Sequence, residues 1–167
     1  MENAVEREKI EVKRTVQFEP EKGEIRVLGV RCYFINPVSS CEKVDKLFGT
    51  GGEVIVHNVC FEGGYKFFND IIKGNPSKPK RDLLTNLVAA APELGYGMIT
   101  TATLRESPPT VKVSVVNPAT KTVKGSQKYL MGSFWAGVFS KYFDRQLTCK
   151  DFSYDEGRDE LSFVIST

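Results

Sequence analysis

The single histidine of the chain, His57, stands three residues before Cys60, a spacing that turns both side chains to the same side of a helix. An imidazole and a thiolate make half of a tetrahedral zinc site, which Cys149 or Glu62 would have to complete. The same pair invites a reading as thiol nucleophile and base. Nothing in the sequence orients the imidazole, however, and a reactive thiol needs an electropositive, accessible setting. A packed histidine beside apolar neighbours is the simpler reading. Asp155, Glu156, Asp159 and Glu160 crowd a short stretch. Paired carboxylates can act as acid and base, but carboxylates at a turn are ordinarily solvated. Gly49-Thr50-Gly51-Gly52 lacks the lysine and the preceding strand of a phosphate-binding loop. No catalytic constellation emerges, and no catalytic residue is assigned.

The aromatic residues say more. Phe61, Tyr65 and Phe68 recur on one predicted helix beside Gly64, and Phe134, Trp135 and Phe139 on another. Such a set can wall an apolar ligand pocket, with Tyr65, His57 and Ser133 as its few polar groups. The competing reading is a solid core plus a dimer interface, the usual fate of aromatic stripes at helical spacing.

Those residues need elements to hold them. In the last 40 residues, Leu130, Phe134, Val138 and Tyr142 fall four apart, and Met131, Trp135 and Phe139 form an adjacent row. A helix apolar over most of its circumference is buried on more than one side. That requires a sheet on one face and a second subunit or an enclosed cavity on another. Two strands follow, 145–154 and 160–166, joined at Asp155-Glu156-Gly157, with Leu161, Phe163 and Ile165 alternating inward. Near the start, Ile10, Val12, Val16 and Phe18 keep even spacing up to the turn at Pro20–Gly23. Residues 24–30 return, and 30–35 continue as an apolar run. A first helix carries Val38, Cys41, Val44 and Phe48.

Thr50 and Glu53 have the spacing of a capping box for a second helix that runs to Gly74, with Val54, Phe61, Phe68 and Ile72 as its buried stripe. Gly63 and Gly64 in its middle cost about 1 kcal/mol each against alanine. Close approach of another backbone or of a ligand is the usual compensation, so Gly64 is expected at a dimer contact or a ligand. A third helix spans about 80–91, and strands 98–105 and 110–117 flank Glu106-Ser107-Pro108-Pro109. Strands in consecutive pairs with helices elsewhere predict an α+β fold with helices on one face of an antiparallel sheet.

Composition bounds the function. With 41% apolar and 26% charged residues among 167, the chain suits one domain with a real core. The net charge is +2, and the longest basic cluster is Lys78-Pro79-Lys80-Arg81. Nucleic acid is therefore not an expected partner. No stretch approaches the ~20 apolar residues of a membrane span. The charged N-terminus, MENAVEREKIEVKR, is unlike a signal peptide. A cytoplasmic protein with reduced thiols is expected, since Cys32, Cys41, Cys60 and Cys149 show no paired spacing.

Several short motifs, in order, resemble the 4-vinyl reductase domain family over about residues 25–167. They are Arg26-Val27-Leu28-Gly29, Cys60-Phe61-Glu62-Gly63-Gly64, Leu94-Gly95-Tyr96-Gly97, Val115-Val116-Asn117, Ser133-Phe134-Trp135-Ala136-Gly137, and a closing Ser153, Gly157, Leu161, Phe163, Ile165. These small-molecule-binding domains are related to small subunits of the TRAPP tethering complex and to sensor domains of phenol- and toluene-responsive bacterial activators. The resemblance implies a four-stranded antiparallel sheet with helices packed on one face, a homodimer, and an apolar pocket beneath the helices. Residues 1–24 would form an arm or hairpin strand outside the family domain.

In many relatives cysteines occupy the positions of Ser153 and Leu161 and, in aromatic sensors, help bind zinc. Serine and leucine do not replace thiolates, so no metal or other cofactor is expected, with His57, Cys60 and Cys149 as the weak alternative set. The resulting expectation is a binding or sensory module for a hydrophobic small molecule. Phe61, Gly64, Tyr65, Phe68, Phe134, Trp135 and Phe139 are its ligand-binding residues, and its output passes through a separate protein. The alternatives are a scaffold subunit without ligand and an enzyme accessory in tetrapyrrole metabolism.

Overall fold

The computed structural model describes residues 15–22, 24–32 and 37–167. Ile10, Val12, Gly23 and the end of the apolar run at 33–35 lie outside the described residues. The order is β1 (Val16–Glu19), a 3-10 turn (Pro20–Lys22), β2 (Glu24–Val27), β3 (Val30–Cys32), α1 (Pro37–Phe48), α2 (Thr50–Gly74), α3 (Lys80–Ala90), β4 (Met98–Glu106), β5 (Pro109–Val116), α4 (Lys128–Phe143), β6 (Thr148–Asp155) and β7 (Glu160–Ser166). The fold mixes these four helices with two antiparallel sheets.

The first sheet runs β1-β2-β3. The expected continuation through residue 30 is instead broken by a second hairpin turn. Leu28 and Gly29 both take positive φ, 49° and 88°, the mirror-image geometry that suits the twist of two-residue hairpins. Val16 and Val27 of this sheet are buried in the common core, and Asn75 at the end of α2 donates to the Leu28 carbonyl at 3.4 Å.

The second sheet runs β4-β5-β7-β6. Val111, Val113 and Val115 pair with Ile165, Phe163 and Leu161, and all six side chains are buried. The opposite face is polar: Ser114 and Ser162 hydrogen-bond across the strands at 3.0 Å. A bulge between Lys150 and Ser153 interrupts edge strand β6, and the Phe152 ring reaches the space above Gly132 of α4.

Helix α4 lies on β6 and β7, and its other flank is covered by α2 of the same chain. The expected second cover was a subunit or an enclosed cavity; a neighbouring helix supplies it. The two helices run side by side, meeting every four residues on α2 and every four or five on α4. Glu53 pairs with Lys128 at 2.9 Å, His57 meets Ser133 at 2.8 Å, the Phe61 carbonyl faces Gly137, and the Tyr65 ring lies 5.5 Å from the Lys141 ammonium. Glycine makes this spacing achievable. A Cβ on Gly64 would overlap the Phe134 carbonyl, and one on Gly137 would overlap the Phe61 carbonyl. Each backbone fills the notch in the other.

Two local expectations are corrected. The capping box does not form: Thr50 is already helical, Gly49 holds the cap position without a side-chain bond, and Glu53 reaches Lys128 instead. The buried stripe of α2 is also rotated, because it follows α4. Val56, Gly64, Phe68 and Ile71 are buried, whereas Val54 is 60% exposed.

The glycine pair is asymmetric, since a Cβ on Gly63 would meet open space. Gly63→Ala should therefore be neutral or stabilise by up to about 1 kcal/mol through helix propensity. Gly64→Ala should destabilise by about 3 kcal/mol, because the overlapped atom is backbone and cannot rotate away. Urea denaturation of the two variants measures both. Gly64 thus has the expected close approach of another backbone, that of Phe134 in the same chain.

Candidate functional site

The seven residues expected to bind a ligand divide between a surface recess and the interior. Phe61 and Tyr65 line a recess of about 360 Å³, where Glu62, Asp144 and Arg145 also converge. Phe68, Trp135 and Phe139 are core residues, each at most 3% exposed. Phe134 is half-buried and stacks on Tyr96 with ring centroids 5.2 Å apart. Gly64 lies against the Phe134 backbone.

Around Phe134 a continuous aromatic cluster forms. Trp135 meets Phe134 edge-on at 5.7 Å, Tyr96 at 6.5 Å and Phe139 at 6.1 Å, while Phe67 contacts Phe134 at 6.0 Å. Burial pushes the Tyr96 phenol up to about 12, so it is a neutral hydroxyl at any physiological pH. The Trp135 indole N–H is buried and finds no acceptor among the described residues. A buried donor without a partner costs about 1–3 kcal/mol and asks for an explanation. Tyr96 and Phe67 were absent from the sequence-based set. The available signal was Gly95-Tyr96-Gly97, an aromatic between two glycines whose φ values are 76° and 92°.

A second polar grouping lies where α2, α4 and β6 meet. His57 Nδ1 stands 2.8 Å from Ser133 Oγ, and Ser133 Oγ stands 3.5 Å from Cys149 Sγ. The His57 ring also meets the Tyr129 ring edge-on at 5.3 Å. Burial lowers the His57 imidazole from its ordinary 6.5, so it is neutral at pH 7. Burial also raises the Cys149 thiol, with the Ser133 bond opposing that shift, and raises the Cys60 thiol to about 11.

All four cysteines are free. Among the described residues no group of three or more His, Cys, Asp or Glu side chains is placed to hold a metal ion. Asp155 pairs with Arg158 within the turn at 2.7 Å, and Asp159 pairs with Lys121 at 2.7 Å. No described helix is long and apolar enough to cross a membrane.

The architecture is one in which helices lie on an antiparallel sheet around an aromatic interior. No family profile matches the chain, and no curated protein matches it significantly. Among solved structures, it is similar to the phenol-responsive sensory domain of the transcription activator PoxR, crystallised with phenol. The TM-score is 0.68 at 10% identity, over 92% of this chain and 85% of that one. The likeness shows a shared fold.

The buried imidazole has a thermodynamic signature. Its folded-state pKa is below the unfolded value, so the unfolded chain binds more protons in the interval between them. Stability should be constant above pH 6.5 and fall as the pH drops from 6.5 toward the lowered value. The depressed carboxylates Asp144, Asp155 and Asp159 lose their contribution only below their ordinary 3.8, so the two windows separate. His57→Phe should remove the upper step and leave the lower one, as read by thermal midpoints from pH 7.5 to 3.

Proposed function

We propose that this chain is a binding or sensory module for a hydrophobic small molecule. The ligand would be held in the aromatic interior between α2, α4 and the 91–97 segment by Phe134, Trp135, Phe139 and Phe68, with Phe61, Gly64 and Tyr65 shaping the helix crossing beside it. The observation that carries this reading is the Trp135 indole N–H, buried without an acceptor among the described residues, on a ring packed against those of Tyr96, Phe134 and Phe139. A ligand oxygen would satisfy it, and the surrounding rings would hold an apolar body. Phenol, the compound named with the sensory-domain neighbour, pairs an apolar ring with one oxygen, which is the chemistry such a site would select. The reading needs no metal or other cofactor.

It includes a homodimer. Leu47 and Phe48 at the end of α1, with Val54, Ile55 and Val59 on the first turns of α2, are 42–66% exposed. Further along, the outer face of α2 turns polar with Glu62, Lys66 and Asp70. An apolar band confined to one end of a helix face suits a self-complementary contact. The scaffold alternative draws support from the closed packing of Phe68 and Trp135, 0% and 1% exposed.

Trp135 is the only tryptophan, so its indole resonance reports on one site. Titration with phenol or toluene should shift that signal saturably, and phenol should shift the N–H more. An unmoved signal at millimolar ligand would favour the scaffold reading. Light scattering should give a dimer mass for the native chain and a monomer mass for Val59→Glu. A monomeric native chain would sink the dimer.

A further inference from the structure

We propose that the recess between α2, α4 and β6 is a second binding site, selective for a neutral, hydroxyl-bearing small molecule that His57 orients through its outer ring nitrogen. This goes beyond the interior site and does not rest on it. The recess holds about 340 Å³ and is walled by Val54, Glu53 and His57 of α2, Tyr129 of α4, and Thr148 and Cys149 of β6. That volume lies within the range of small-molecule sites. Its walls combine an apolar side, made by Val54 and the Tyr129 ring, with a few hydroxyls and one imidazole.

The proton arrangement defines what the imidazole offers. Ser133 is fully buried and has one proton to share between His57 Nδ1 at 2.8 Å and Cys149 Sγ at 3.5 Å. In one arrangement the thiol donates to Ser133 and Ser133 donates to Nδ1, which leaves Nε2–H as a donor. In the other, Nδ1–H donates to Ser133 and Ser133 donates to sulfur, which leaves Nε2 as an acceptor. Both commit the inner nitrogen and, among the described residues, leave the outer one without a hydrogen-bond partner, open to a ligand. A hydroxyl both donates and accepts, so it suits either arrangement. A hydrocarbon suits neither.

Charge sets the rest of the selectivity. Glu53 lines the recess and is paired with Lys128 at 2.9 Å, and Lys128 also lies 4.9 Å from the Tyr129 ring. A carboxylate ligand would face Glu53 without an unpaired cation to offset it. An ammonium ligand would have to compete with Lys128. With the imidazole neutral, a neutral ligand is the one that pays neither cost.

The test uses ring-nitrogen NMR of the full chain, where one histidine gives one pair of signals. The probes are phenol, toluene and benzoate, and the Trp135 indole is followed in the same samples. Phenol should move the two His57 nitrogens saturably toward a single tautomer. Toluene should do so at least tenfold more weakly, and benzoate should leave them still. His57→Phe, checked for native circular dichroism, should weaken phenol binding at this site about tenfold, read by shifts of the Tyr129 ring signals. Ser133→Ala should change the tautomer ratio while phenol still binds.

If phenol moves only the Trp135 indole, the second site is wrong and the interior reading stands. If it moves only the His57 nitrogens, the reverse holds. A benzoate response equal to that of phenol would overturn the selectivity for neutral ligands.

Discussion

The contact on which this structure depends is the reciprocal notch between α2 and α4. Gly64 receives the Phe134 carbonyl and Gly137 receives the Phe61 carbonyl, so the two backbones approach more closely than any side chain on either position would permit. With that distance set, the other pairs along the two helices come into reach. Glu53 finds Lys128, His57 finds Ser133, and Tyr65 finds Lys141. The polar contacts therefore read as consequences of the glycine packing, and surface ion pairs such as Glu53–Lys128 contribute little by themselves.

Much of the fold was legible because its periodic signals were strong. The alternation at Leu161, Phe163 and Ile165, the helical rows of α4 and the glycine stops after α1 and α2 all place elements where the structure has them. What was not legible depended on partners. The rotation of the α2 stripe, which leaves Val54 exposed and buries Val56, follows from which flank α4 occupies, and a single helix's sequence does not say that. Glu53 has the spacing of a capping residue, but the choice between its own helix end and Lys128, some 75 positions away, is made by tertiary contact. The Leu28-Gly29 turn was missed because leucine at positive φ is not a turn signal. The candidate site divides in the same way. Residue types pointed to Phe134 and Trp135, whereas Tyr96 comes from a loop that no periodicity marks.

The two polar groupings differ in how burial is compensated. His57, Ser133 and Cys149 form a chain in which every inner atom has a partner, so the group is internally satisfied and leaves one nitrogen outward. Trp135 carries the opposite pattern: its apolar surface is fully used and its single donor is not. A satisfied chain holds its geometry whether or not a ligand is present. An orphaned donor remains a cost until something with an acceptor arrives.

That difference bears on how an interior ligand would enter. Trp135 and Phe68 are closed off from solvent, and the ring that covers the cluster on the loop side is Tyr96, stacked on Phe134. Tyr96 is held between two glycines in the left-handed region, Gly95 and Gly97, where the backbone can rotate without a Cβ to obstruct it. Helices α2 and α4 cannot separate without breaking the glycine notch, so an interior ligand of the proposed kind would have to enter past the segment around Tyr96. A ligand that inserted there would exchange one aromatic stack for another and satisfy the Trp135 N–H as well. It would thus favour the displaced arrangement of the loop over the closed one, and a difference of that kind is what a sensory domain requires.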